Sequence, residues 1–269
     1  MKFKLNIVFL RSGTYLDLVL LIFFVIVSWY FMRKAVRGEK LPKLRHIPAI
    51  EAITEGVGRS VETQKPVHFE MGVSGGQLYS TLVSMTLASL TMLRHIAKLC
   101  AKYGARLIVH LPYQAESIPL IEATVREGYK EEGKSELFRL DDLRYYGQGS
   151  LTWDQGVTAS FSQDGVGLNL AVGIFYSDVT IPLEMAKIKG GMVIGGTGRW
   201  IMVYAFAMMC DYVFLGEEIY AAGAIVSENP LMLSGIIVEE WGKFFVLVFL
   251  AIGFILAAIG LNVGKLFAL

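Results

Sequence analysis

The sequence predicts an α/β fold: a Rossmann-like, mostly parallel sheet with helices on both faces, flanked by two transmembrane helices. Three observations predict it. Two charge-free apolar runs, residues 18–32 and 244–261, stand near the two ends of the chain. Between them, short apolar segments of strand length alternate with longer segments of helical spacing, the pattern of βαβ units. The whole is rich in apolar residues (54%) and poor in charged ones (18%), as expected where much of a 269-residue chain is buried in protein or lipid.

Residues 1–15 form an N-terminal tail that mixes Lys2, Lys4 and Arg11 with apolar side chains. Residues 16–32 are read as the first span, since about 20 apolar residues cross a ~30 Å hydrocarbon core. Trp29 and Tyr30 close it, as amphipathic rings do at the headgroup level. No small-residue cleavage pattern follows Ser28, so the run is read as an uncleaved anchor. Residues 33–45 are a basic juxtamembrane linker, with Arg33, Lys34, Arg37 and Lys40 expected to meet lipid headgroups. Six cations follow the first span and three precede it. Cations stay on the cytoplasmic side, which puts the central domain in the cytoplasm and both termini outside a cell membrane.

Residues 46–240 are expected to form one cytoplasmic α/β domain. Ile50, Ile53, Val57 and Val61 mark a helix over 47–61, and 66–70 reads as a strand. A long helical stretch, 78–103, leads to a strand at 106–111. Ser117 is expected to cap a helix over 118–132. A weak strand at 143–146 and a helix over 150–164 follow. The rest alternates: strand 168–175, helix 181–189, strand 192–196, helix 200–210, strand 212–215, helix 217–227. The apolar segments 78–93 and 200–209 are expected to lie buried against the sheet. The last helix starts near Gly235 and runs into the second span, 244–261, before a tail at 262–269. Gly253 and Ala257, and Gly260 and Gly264, stand four apart, a spacing that lets helices approach closely in lipid and suggests self-association.

A net charge of +1 gives no electrostatic reason to expect nucleic acid. Cys100 and Cys210 lie in apolar stretches and read as small buried hydrophobes. Gly72-Val-Ser74-Gly-Gly76 matches the nucleophile-elbow pattern, but no histidine lies beyond His110 and no acid lies between Ser74 and His110, so the catalytic order cannot be met. Residues 128–135 match the phosphate-loop pattern literally, yet they end a helix instead of opening one. His68, His110, Glu70, Asp178, Glu217 and Glu218 fall near strand ends without metal-ligand spacing and are read as core, cap or surface groups.

Two glycine turns remain: one holding Gly75 and Gly76, the other Gly195, Gly196, Thr197, Gly198 and Arg199. Beyond the carboxyl ends of parallel strands, such turns either bind phosphate or permit tight strand-to-helix packing. Packing is the preferred reading.

Several segments resemble a prokaryotic membrane-protein family known as a domain of unknown function. They are Gly58-Arg59 with Pro66-Val67-His68-Phe69, Cys210-Asp211-Tyr212, Gly216-Glu217-Glu218 with Tyr220-Ala221-Ala222, and Trp241-Gly242-Lys243. The resemblance implies one cytoplasmic domain between two spans and carries over no catalytic or binding residue. The expected function is therefore an interaction or scaffold component of a membrane assembly, with lipids and further copies as partners and no cofactor. The alternative is an enzyme or sensor that binds a phosphorylated small molecule at the glycine turns.

Overall fold

The structure, a computed structural model, describes residues 15–42, 44–72, 78, 79 and 81–259. The chain divides into two compact units. Arg45–Glu228 is one; the other contains the two long apolar helices.

Arg45–Glu228 is built on six parallel strands in the order β3-β2-β1-β4-β5-β6. They are β1 (Val67–Glu70), β2 (Leu107–His110), β3 (Leu143–Arg144), β4 (Leu168–Val172), β5 (Met192–Thr197) and β6 (Tyr212–Leu215). The chain winds outward from β1 to β3, then returns to the other side of β1 and winds outward to β6. This is the Rossmann order, and it reverses between β1 and β4. The register pairs Glu70 with His110 and Ala171, and Ala171 with Gly195.

Strands of a doubly covered parallel sheet are buried on both faces and read as apolar runs. That is why VHFE, LIVH and LNLAV stood out, and all of their residues are buried. The helices α2 (Pro48–Glu62), α3 (Val83–Tyr103) and α8 (Glu218–Ser227) cover one face, with α4 (Ile118–Glu131) packed on α3. A Cβ at Gly56 of α2 would lie 2.7 Å from Leu168 Cδ1, which shows how closely that helix approaches β4. The other face is covered by α5 (Ser150–Asp164), α6 (Thr180–Ile188) and α7 (Val203–Met209). There Trp153, Val157, Phe161, Leu183 and Phe206 close over Ala171 and Val193.

Two local expectations are corrected. Ser117 does not cap α4: it closes a 3-10 turn, Ala115–Ser117, with helical backbone angles, and its hydroxyl makes no hydrogen bond to the N-terminal amides. The segment Trp200–Met209 is only half buried, with Trp200, Tyr204 and Met208 exposed. The compact unit that holds the sheet runs to Glu228. Glu228 sits in the left-handed region (φ 53°), and Asn229 then opens a new helix by accepting a hydrogen bond from the Leu231 amide at 2.9 Å.

The second unit contains α1 (Tyr15–Val36) and α9 (Pro230–Ala258). Both are long and apolar enough to cross a membrane. They pack on each other through Phe23 stacked on Phe245 (ring centroids 4.3 Å apart) and Phe31 against Trp241. Gly242 makes room for Phe24, whose Cε1 would stand 2.7 Å from a Cβ there.

Candidate functional site

In a doubly wound sheet the ligand crevice opens beyond the carboxyl ends of the strands, where the strand order reverses. Here that place lies between β1 and β4. Gly72 follows β1 at φ 81° and Gly173 follows β4 at φ 153°. A Cβ on Gly72 would fall 2.0 Å from the Ile174 carbonyl oxygen, and one on Gly173 would fall 2.2 Å from the Met71 carbonyl oxygen. The two chains also stay hydrogen-bonded past the regular ladder, the Ile174 amide donating to Met71 at 3.2 Å. Backbone approaches backbone at the switch point. Gly75 and Gly76 lie outside the described residues.

The second glycine segment is not a free turn. Gly195, Gly196 and Thr197 belong to β5. A Cβ on Gly195 would lie 2.3 Å from Phe206 Cδ1 and 2.4 Å from Cys210 Sγ. One on Gly196 would lie 2.9 Å from Phe214 Cδ2 and 3.3 Å from Val172 Cγ1. Gly198 faces Met85 and Tyr220. The Thr197 hydroxyl accepts a hydrogen bond from the Arg199 amide at 3.2 Å, which tightens the turn itself. The Arg199 guanidinium lies 4.2 Å from the centre of the Tyr176 ring, and its Nη1 donates to the Tyr176 hydroxyl at 3.3 Å.

Beneath this edge lies a polar seam that the sequence did not reveal. Side chains alternate along a strand, so His68 and Glu70 of β1, His110 of β2, Arg144 of β3 and Asn169 of β4 point to the face covered by α5. His68 Nε2 is 2.9 Å from the Gly165 carbonyl oxygen, His68 Nδ1 is 3.0 Å from His110 Nε2, and His110 Nδ1 is 2.8 Å from the Tyr146 hydroxyl. The direction of this chain follows from chemistry. A carbonyl only accepts, so His68 Nε2 carries a hydrogen. In the neutral ring Nδ1 then accepts from His110 Nε2–H, and His110 Nδ1 in turn accepts from the Tyr146 O–H. Three donors meet three acceptors with both histidines neutral.

The surroundings hold that state. Burial drives His68 down to about 4, only partly opposed by its bond to Gly165. Burial, then His68 and Arg144, push His110 well below its ordinary value. Burial raises the Tyr146 phenol to about 12. The imidazoles lie edge to edge in nearly parallel planes, and both meet Phe161 in a T-shaped contact. Gly156 of α5 admits the Tyr146 ring, since a Cβ there would fall 2.2 Å from Tyr146 Cγ. Asn169, the register partner of His68, is fully buried, and neither of its amide atoms is hydrogen-bonded among the described residues.

An ion-pair cluster closes the seam at its rim. Arg106 donates to Asp142 (Nη2 to Oδ1, 2.6 Å) and to Asp164 (Nη1 to Oδ1, 2.9 Å). Arg144 donates to Asp164 at 2.7 Å and to the Ser160 hydroxyl at 2.6 Å. Burial pulls the Asp164 carboxyl upward, but Arg144 and Arg106 outweigh it and hold it below its ordinary value. A cleft of about 400 Å³ opens beside this cluster at the amino ends of the strands, lined by Ser60, Lys65, Arg106 and Asp164 among others.

Other residues singled out by the sequence have plain positions. Lys134, the lysine of the phosphate-loop match, donates to the Ala101 and Lys102 carbonyls and so caps α3. Glu217 and Glu218 pair with Arg45, and Glu218 also accepts from the Leu215 amide. Among the described residues no group of three or more His, Cys, Asp or Glu side chains converges as for a metal. Arg33 lies over Trp29 and Lys34 over Tyr30, while Arg37 and Lys40 are exposed. Among the described residues, a Cβ on Gly253 would meet no atom within 4 Å, and Ala257 is exposed. Gly260 and Gly264 lie outside the described residues.

Fold and site together define a doubly wound α/β domain carried in one chain with two helices of membrane-spanning length. The chain belongs to the family described as Domain of unknown function (DUF6754), which matches residues 7–267. No match is found among curated proteins. None is found among solved structures.

Proposed function

We propose that this is an integral membrane protein that presents its Rossmann-like domain to the cytoplasm as a self-associating scaffold component of a membrane assembly. One observation carries the reading. Where this fold would admit a phosphate, the space beside Gly195 and Gly196 is filled by Phe206, Cys210, Phe214 and Val172. The glycines serve packing, and His68, His110 and Tyr146 beneath them form a hydrogen-bonded chain that ends at the Gly165 carbonyl. Lys/Arg asymmetry across the first span supports the cytoplasmic placement, and the basic segment with Arg33, Lys34, Arg37 and Lys40 supports contact with anionic headgroups. The open face of α9 at Gly253 and Ala257 supports helix contact between copies.

The test is the size of the purified protein in mild detergent across a concentration series. The reading expects a concentration-dependent oligomer that Gly253→Leu weakens by steric exclusion. A wild type that stays monomeric throughout contradicts it. A second reading, binding of a phosphorylated small molecule at the carboxyl edge, is favoured by Arg199, whose Nε is buried and without a hydrogen-bond partner among the described residues.

A further inference from the structure

The segment Trp200–Met209 carries no charged side chain. Met202, Ala205 and Phe206 enter the core beside the sheet. Trp200, Tyr204 and Met208 do not: they are 84%, 61% and 80% exposed. Tyr204 and Met208 stand four apart on one side of α7, and Trp200 lies in the 3-10 turn Trp200–Met202 that leads into it. On α6, which packs against α7, Ile181 and Ile188 are also exposed. A helix apolar on every side is ordinarily covered on every side, and a contiguous exposed apolar patch marks an interaction surface.

What covers this face follows from the chain's connections and from the side chains themselves. The domain runs from Arg45 to Glu228. Residues 33–44 separate it from the first apolar run and residues 229–243 from the second. Twelve residues reach at most about 43 Å when fully extended, so a bilayer holding those runs stays at high effective concentration for the domain whatever the protein concentration. Trp and Tyr are the residues that favour the headgroup layer, where the ring is apolar and its polar edge stays wet.

We propose that the face formed by Trp200, Tyr204 and Met208 docks in the lipid headgroup layer of the membrane that holds α1 and α9. The proposal rests on the reading of those helices as spans.

The experiment uses the full chain in proteoliposomes of mixed zwitterionic and anionic phospholipid. Nitroxide labels are placed singly through Trp200→Cys, Tyr204→Cys and Met208→Cys, with Tyr103→Cys as an exposed site at the end of α3 and Ile26→Cys as a site inside α1. The labelled wild type serves as blank, because Cys100 is buried and Cys210 is half-buried. Collision with dissolved oxygen and with a water-soluble nickel chelate is measured at each label. The proposal expects nickel collisions several-fold lower at 200, 204 and 208 than at 103, with a ratio of oxygen to nickel collisions between those at 103 and 26. If those three labels meet nickel as freely as 103 does while 26 reports lipid, the docking is overturned and the spans stand. Should 26 itself meet nickel freely, the membrane reading falls and the docking with it. Protection from both reagents with spin–spin broadening would identify a second copy as the cover and overturn the lipid proposal.

Discussion

His68 and His110 share a hydrogen bond of 3.0 Å in the interior of the domain, and the Gly165 carbonyl at the far side of His68 sets its direction. Neither ring can take a second hydrogen without turning a donor against a donor or charging a site from which water is excluded. The pair is therefore a neutral element of the core, and its contribution to stability depends on pH.

Acid should weaken the domain in a defined window. An unfolded histidine titrates near 6.5, whereas folded His68 titrates at about 4. Above pH 6.5 neither state takes the proton and stability is at its full value. As pH falls from 6.5 toward 4, the unfolded chain binds protons that the folded domain refuses, so stability declines. A shift of this size corresponds to about 3 kcal/mol for His68 at the lower end of the window. The check is the denaturant midpoint at several pH values. The double variant His68→Leu, His110→Leu should show a distinctly shallower decline than the wild type over that range.

Gly195 should not tolerate a side chain. Ala there would place its methyl 2.3 Å from Phe206 and 2.4 Å from Cys210, and overpacking of this kind costs about 1–3 kcal/mol. Chemical denaturation of Gly195→Ala should show that loss, and adding Phe206→Leu should recover part of it. A second substitution that merely added its own cost would remove the steric explanation.

Much of the alternation was legible because the central strands, covered on both faces, read as apolar runs, while Ile50, Ile53 and Val57 mark an amphipathic α2. The seam was not legible. His68 and His110 stand 42 residues apart, and only the pairing of β1 with β2 makes them diagonal neighbours. One signal was present: His68, Glu70, His110 and Asn169 interrupt otherwise apolar strands at alternate positions, which points to one polar face. The half-exposure of Trp200–Met209 was hidden because composition does not distinguish a helix covered by the sheet alone from one covered on both sides.

The proposed orientation is open to a direct check. Reporter fusions after Arg45 and after Leu269 should place the first site inside the cell and the second outside. Activity of an external-only reporter at Arg45 would reverse the orientation drawn from the Lys/Arg distribution.

The central claim is that the glycines at the carboxyl edge serve packing within a scaffold domain and hold no phosphorylated ligand. It is tested most directly by thermal unfolding of the purified full chain, wild type and Gly196→Val, with and without a panel of nucleotides and inorganic phosphate. A ligand that binds only the folded state raises its stability. The account predicts no shift of the wild type by any member of the panel. It also predicts a clear loss of stability in Gly196→Val, whose side chain would press on Phe214 and Val172. A wild type stabilised by a phosphorylated compound, beside a variant that keeps its stability and loses the shift, would contradict it.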